Sequence, residues 1–349
     1  RYRERTMLNA GPLLEQIMLR ESLSQTEAYS LFNRIMHGEQ SEVMIASVLT
    51  ALKMKKESPS EIAGAASAMV ANALPFPTPS YEFADIVGTG GDGHNTINIS
   101  SAAGVVAASC GVKVAKHGNR SVSSKSGSAD LFRQFGLNLE ISPETSRKCL
   151  DEANFTFLFA PVYHAGMRHA APVRAAMKTR TLFNILGPLA NPAGPTHGVF
   201  GVYSPELLEP YAKTLMLLGQ HRAMIVHGDG LDELALHGES MIYDLEHGDI
   251  RKLTVTAEDF GLPHYPLSAI EGGEPEENRQ FVEAALNGEG KEAHRAAIAM
   301  NCGALLKVTG KASTFKEGAE MAMNAMAEGL PMQLLTKVAK ITQEVSTNG

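Results

Sequence analysis

The sequence predicts an α/β protein: a small N-terminal all-helical domain, then a large α/β domain whose mostly parallel central sheet is flanked by helices. Two observations predict it. Residues 8–73 show only helical periods, and beyond a proline-rich break short β-rich runs alternate with helical stretches. The size agrees, because 349 residues, 44% of them hydrophobic, suffice for one large core and a smaller satellite.

In the helical part, Ser24-Gln25-Thr26-Glu27 has the form of a capping box, and Ser41 opens an apolar stripe of Val43, Met44, Val48, Ala51 and Leu52. Ser60 with Glu61 is expected to start a small-residue helix over 62–70. Leu74-Pro75-Phe76-Pro77-Thr78-Pro79 reads as a stiff extended linker, since each proline fixes its own φ. The expected division is therefore 1–73 for the helical domain, 74–79 for a hinge and 80–349 for the α/β domain. Strands are expected at 83–87, 112–116, 155–159, 198–203 and 223–226, with helices at 101–110, 126–135, 143–154 and 205–218. After Asp229 the strands should shorten, and helical stretches at 275–287, 291–308 and 315–345, broken near 329–331, close the chain.

Composition removes several function classes. The net charge of −7 argues against a general nucleic-acid binder, which needs an excess of cations facing phosphates. Cys110, Cys149 and Cys302 are odd in number and widely spaced, so neither a disulfide framework nor a zinc site is suggested. The longest apolar-leaning run, 101–115, is too short to span a bilayer, and no signal-peptide core follows residues 1–6. A cytoplasmic protein is expected. The charge is unevenly spread, however. Between Asp92 and Asp130 lie 37 residues without a carboxylate, a window that keeps Lys113, Lys116, Arg120 and Lys125. Residues 153–205 form a second acid-free window with Arg168, Arg174, Lys178 and Arg180. Buried strands exclude lysine as firmly as glutamate, so windows that retain only cations point to an anionic ligand.

Three segments carry the chemistry such a ligand needs. Gly88-Thr89-Gly90-Gly91-Asp92-Gly93 follows an expected strand and leads, through Thr96, Asn98, Ser100 and Ser101, into a helix. Backbone N–H groups in such a turn, with the helix N-terminus behind them, can hold a phosphate. Phosphate binding is the natural reading, although a glycine-rich turn is also found as a plain strand–helix connection. The segment 116–130, with Lys116, Asn119, Arg120, Ser124, Lys125 and Ser128, repeats the arrangement at the next strand end, and ligands of parallel sheets collect at such ends. Asp232 and Glu233 stand adjacent after the turn His227-Gly228-Asp229-Gly230, where a magnesium ion shared with substrate phosphates would relieve their repulsion. Arg174, in the second acid-free window, offers a fork suited to a carboxylate.

Jointly, Gly88-Thr89-Gly90-Gly91-Asp92-Gly93, Lys116-His117-Gly118-Asn119-Arg120, the run from Ser123-Ser124 to Gly127-Ser128-Ala129-Asp130, Asn184-Ile185-Leu186-Gly187-Pro188-Leu189-Ala190-Asn191-Pro192 and Asp232-Glu233 resemble the anthranilate phosphoribosyltransferase family, in order and spacing, over nearly the whole chain. The resemblance implies a nucleoside phosphorylase/phosphoribosyltransferase-like fold in which a segment near 167–186 returns to the helical domain, and a homodimer formed through that domain. It implies transfer of the phosphoribosyl group of phosphoribosyl pyrophosphate (PRPP) to the amine of anthranilate, a step of tryptophan biosynthesis.

Carried over by position, the resemblance implies PRPP binding by Gly88, Gly91, Asp92, Thr96, Asn98, Ile99, Ser100, Ser101, Lys116, His117, Gly118, Asn119, Arg120, Ser121, Val122, Ser123, Ser124 and Ser128. Gly88, Asn119, Arg174 and His117 would face anthranilate, and Ser100, Asp232 and Glu233 would hold Mg2+, two ions per subunit. Ser101, Phe132 and Ala165 depart from the family's usual residues without removing a functional group. Two rivals stay open. A pyrimidine nucleoside phosphorylase-like enzyme would leave Asp232-Glu233 without a task, and a non-catalytic nucleic-acid-binding relative would need a basic surface. Expected partners are the two small molecules and a second copy of the chain, with no nucleic acid and no membrane; association with an anthranilate synthase is left open.

Overall fold

The computed structural model describes residues 9–121 and 126–344. Helices α1 (Ala10–Met18), α2 (Gln25–Met36), α3 (Glu42–Lys55) and α4 (Pro59–Ala71) form a bundle. Ser24 and Glu27 close the expected capping box on α2, and Ser41 caps α3. Helix α4 starts earlier than its small-residue pattern suggests. Pro59 occupies the first turn, where its missing N–H is no loss, so Ser58 and not Ser60 forms the capping box with Glu61.

Glu61 is more than a cap. It is fully buried and accepts hydrogen bonds from Leu23 N–H (3.1 Å), Ser58 N–H (2.7 Å) and Lys55 Nζ (2.7 Å). Glu61→Gln must turn an NH2 group toward one of these donors, whichever way the amide is set. We expect a loss of about 2–3 kcal/mol, read as a lower urea midpoint; an unchanged midpoint would remove the hub role.

The α/β part follows as β1 (Ala84–Gly88), α5 (Ile99–Ser109), β2 (Val114–Gly118), α6 (Ser128–Gln134), α7 (Pro143–Ala153), β3 (Phe155–Phe159), α8 (Ala171–Met177), β4 (His197–Gly201), α9 (Leu208–Leu217), β5 (Arg222–Gly228), β6 (Ser240–Glu246), β7 (Asp249–Val255), α10 (Pro275–Leu286), α11 (Glu292–Val308), α12 (Phe315–Ala327) and α13 (Leu330–Glu344). The seven strands lie in the order β3-β2-β1-β4-β5-β6-β7. The first five in that order are parallel, and β6 and β7 pair antiparallel. The expected shortening of strands after Asp229 is wrong. Strands β6 and β7 span seven residues each, joined by a two-residue turn in which His247 (φ 49°) and Gly248 (φ 80°) are both left-handed, as a tight hairpin requires. Charged Asp249, Arg251 and Lys252 on β7 disguise the strand in sequence and suit the edge of a sheet.

Alternation along the strands divides the interior in two. Met224, Val226 and Ile242 face a core built with α5, α11, α12 and α13, whereas Ala223, Ile225, Tyr243 and Leu245 face the other side. That second core is continuous with the helical bundle through α9 and through Ala170, Val173, Leu182, Phe183, Ile185 and Leu186. The proline-rich segment 74–79 is held to the α/β part: Leu74 N–H donates to Tyr163 O (2.8 Å), Thr78 Oγ1 donates to Ala193 O (3.0 Å), and Phe76 is buried beside Tyr163. No helix among the described residues is long and apolar enough to cross a membrane.

Candidate active site

The strand order reverses at β1, which has β2 on one side and β4 on the other. Loops leaving the carboxyl ends of β1 and its neighbours diverge there and open a crevice. The first of them is the glycine turn. Gly90, Gly91 and Gly93 take φ values of 68°, 71° and 80°, which a side chain would resist, and the chain then enters α5. The turn is pinned from three sides. Thr89 N–H donates to Gly201 O at the end of β4 (2.9 Å), Ile97 N–H to Ile270 O (3.0 Å), and Asn98 Nδ2 to Ser126 O of the second loop (2.9 Å).

The third segment, after β5, meets this turn. Gly90 N–H donates to Asp232 Oδ2 (2.8 Å), and Ser100 N–H, at the start of α5, donates to Glu233 Oε1 (3.3 Å). The donors expected to hold phosphate thus hold the protein's own carboxylates. Asp92 joins them through Asp232 N–H (3.3 Å) and also accepts His94 N–H (2.9 Å). Burial, and then repulsion among Asp92, Asp232 and Glu233, hold the Asp232 and Glu233 carboxyls above the ordinary range.

Beneath the crevice lies a polar layer that the sequence does not announce. Asp85, fully buried on β1, accepts from Asn191 Nδ2 (3.0 Å) and lies 3.5 Å from His117 N, and burial pushes it up to about 6 against the opposing pull of Lys116. The Lys116 ammonium donates to Ile86 O; burial lowers its pKa, while Asp85, Glu233 and Asp232 draw it back up. His117 Nδ1 must carry a proton, because it faces the carbonyl of Gly187 (3.0 Å). Burial, then His164 at 5.2 Å between ring centroids, pushes this imidazole down to about 3, so it is neutral. Its Nε2 and the Oδ1 of Asn98 are buried with no partner among the described residues, as acceptors awaiting a ligand donor would be.

The structure therefore brings together Gly88, Gly91, Asp92, Asn98, Ser100, Lys116, Asp232 and Glu233. Thr96 pairs across an isolated bridge with Glu271 beside them. In the second loop Gly118 lies against Ser128, Ser128 Oγ donates to Asn119 O (3.3 Å), and Asn119 Oδ1 accepts from Arg120 N–H (2.8 Å), with Ser121 next in the chain. Val122, Ser123 and Ser124, and Lys125 with them, lie outside the described residues. Some expected roles change. Ile99 is fully buried in the main core with its N–H bonded to Ile97 O (2.8 Å), so its side chain packs there, and Ser101 is buried to the same degree as Lys116 and His117. Lys113, counted among the anion-seeking cations, donates to the Leu150 and Asp151 carbonyls at the end of α7, where a helix C-terminus attracts it. Arg174 comes from a separate element, half-buried on α8 with its guanidinium 5.7 Å from the Phe183 ring.

Asp85, Asn191 and Arg180 were missed as site residues. Arg180 bonds Gly91 O and lies 4.0 Å over the Tyr203 ring, tying the acid-free segment to the glycine turn. A carboxylate one residue into a buried strand is the signal that could have singled out Asp85.

Residues 11–73 match the model of the helical bundle domain of a glycosyl transferase family, and residues 80–332 that of its a/b domain. Similar relatives include the anthranilate phosphoribosyltransferases of Tolumonas auensis, 55% identical over 95% of this chain and 98% of that protein, and Psychromonas ingrahamii, 54% identical over 96% and 98%. Among solved structures, the anthranilate phosphoribosyltransferase of Thermus thermophilus superposes with a TM-score of 0.90 at 43% identity, covering 95% of this chain and 99% of that one. That of Saccharomyces cerevisiae in complex with PRPP and Mg gives 0.88 at 28% identity, covering 97% and 99%.

Proposed function

Because the chain belongs to the anthranilate phosphoribosyltransferase family, we propose that the glycine turn, the loop after β2 and the Asp232-Glu233 pair are the parts with which it performs that family's reaction. It transfers the phosphoribosyl group of PRPP to the amine of anthranilate, giving N-(5-phosphoribosyl)anthranilate and pyrophosphate in tryptophan biosynthesis. One observation carries the assignment of parts: Gly90 N–H and Ser100 N–H already donate to two acidic side chains, those of Asp232 and Glu233. A diphosphate arriving at the turn competes for the same donors, and the carboxylates it displaces are left free for cations.

Those residues suit magnesium. Their carboxyls are raised by burial and mutual repulsion, which a divalent ion would relieve. Among the described residues no three His, Cys, Asp or Glu side chains close on one point, so most ligands would be phosphate and water oxygens, as Mg2+ prefers. Asp232, Glu233 and Ser100 would hold it, and two ions per subunit fit the size of a diphosphate. When bound, magnesium neutralises charge building on the leaving pyrophosphate.

The chain's own residues orient the rest. Arg174 takes the anthranilate carboxylate, Asn119 and Gly88 line the path of its ring, and Asn98 Oδ1 accepts from a sugar hydroxyl. The amine displaces pyrophosphate at the anomeric carbon with inversion: the carbon–oxygen bond breaks, the carbon–nitrogen bond forms, and the nitrogen then loses a proton. An aromatic amine is neutral near pH 7, so positioning and leaving-group stabilisation supply the rate, and no strong base is needed.

Two copies pair through the bundle, where Val43 and Met54 on one stripe of α3 and Met18 and Leu19 at the end of α1 are exposed, with Met18 and Met54 lining a groove of about 510 Å3. The cytoplasm suits the three unpaired cysteines.

The assay that tests this reading follows anthranilate fluorescence, which should fall only when PRPP and magnesium are both present. Consumption of a nucleoside with free phosphate instead would support the nucleoside phosphorylase reading. Arg174→Ala should raise the anthranilate KM by about 10–100-fold with the PRPP KM little changed. A rise confined to PRPP would remove Arg174 from the acceptor site.

A further inference from the structure

We propose that Asn301, on α11, is a positioning residue that holds the Asp232-Glu233 pair in its metal-binding pose; the proposal rests on the reading of that pair given above. Asn301 sits in the middle of a helix segment otherwise made of alanine, glycine, Cys302 and large apolar residues, and is 2% exposed. A buried amide there is unfavourable unless its polar atoms are matched. All of them are used. Its Nδ2 donates to Ala297 O one turn back on its own helix (3.0 Å), which fixes which end of the amide is nitrogen. The same Nδ2 donates to Leu234 O (3.2 Å), and Oδ1 accepts Leu234 N–H (2.9 Å). One side chain thus grips both backbone groups of the residue that follows Glu233.

The other end of the carboxylate turn is gripped as well. Gly228 and Leu231 exchange a pair of backbone bonds (3.0 Å each), and His227 uses both ring nitrogens, donating from Nδ1 to Val202 O (2.8 Å) and accepting Gly230 N–H at Nε2 (3.1 Å). Asp232 and Glu233 are the two residues between these fixed points. On their far side, Asp232 rests against Gly88 and Gly201, where a side chain would overlap it. Without Asn301 the turn keeps its first anchor and loses the one beside Glu233. Partners behind metal ligands matter in this way because they set ligand direction without touching the ion.

The test compares the wild-type chain with Asn301→Leu, similar in volume and unable to hydrogen-bond, and with Asn301→Ser in case the leucine variant does not fold. Thr342→Val serves as control, because it removes a half-buried hydrogen bond that Thr342 Oγ1 on α13 accepts from Asn138 N–H, away from the crevice. Binding of Mn2+ in the presence of PRPP is read by electron paramagnetic resonance, and turnover is followed against Mg2+ concentration. Either Asn301 variant should bind Mn2+ about 10–100-fold more weakly and need correspondingly more Mg2+ for half-maximal rate, with the anthranilate KM within about twofold of wild type. Thr342→Val should leave both readings in place. A folded Asn301 variant with wild-type Mn2+ affinity, or an equal shift in Thr342→Val, overturns the positioning role. Should Asp232→Ala with Glu233→Ala leave Mn2+ binding intact, the metal assignment itself falls, and the positioning role with it.

Discussion

Replacing Asp232 and Glu233 together by alanine is expected to lower turnover by about 10³-fold, with the melting temperature of the ligand-free protein unchanged or raised. The two effects have one cause. Without a cation the carboxyls crowd Asp92 in a half-buried crevice, and burial and repulsion hold them above their ordinary range. If the pair holds the ion as proposed, removing it relieves an unfavourable arrangement kept for that ion, the usual conflict between stability and activity at such sites. Near-normal turnover would show that the pair is not the metal site. A marked fall in melting temperature with little loss of activity would make it structural.

Gly201→Ala is the second large effect, although Gly201 was not among the candidate residues. It ends β4, and a methyl group there would overlap the carbonyl oxygen of Asp232. Backbone meets side chain with nothing free to rotate, so the turn carrying Asp232 and Glu233 must move. A displacement of this kind is expected to reduce turnover by about 10²-fold and to destabilise the fold by about 1–3 kcal/mol. Gly90→Ala provides the contrast. Its methyl meets open space, and only its φ of 68° resists the change, at about 1 kcal/mol. Steady-state kinetics and urea melts of both variants check the comparison; equal losses of activity would mean that the Asp232 contact does not control the site.

These two positions differ in how far sequence alone reveals them. Asp232-Glu233 was legible because adjacent acids on a glycine turn, after a window lacking acids, require a local explanation. The Ser24–Glu27 capping box, the glycine turn and the parallel strands were legible for the same reason: each is a pattern confined to a short stretch of chain. Gly201 was not, because its role depends on β4 lying beside β1, and the sequence does not state that strand order. Asp85 and Asn191 escaped likewise, meeting across a span of 106 residues. The β6–β7 hairpin escaped for a different reason: half of β7 faces solvent, so charges break its apolar alternation, and His247-Gly248 is not a pair that stands out as a two-residue turn. Ile99 stands among the expected ligand contacts because its neighbours belong there, yet helical geometry turns it into the core.

At the heart of the proposed mechanism, the glycine turn would exchange the protein's own carboxylates for a diphosphate, and the freed carboxylates would take the ion. Anomalous diffraction from crystals grown with PRPP and Mn2+ would locate both groups at once. Manganese is expected at Asp232 and Glu233, with the diphosphate on the N–H groups of Gly90 and Ser100. Manganese bound elsewhere, with those N–H groups still held by Asp232 and Glu233, would contradict the exchange.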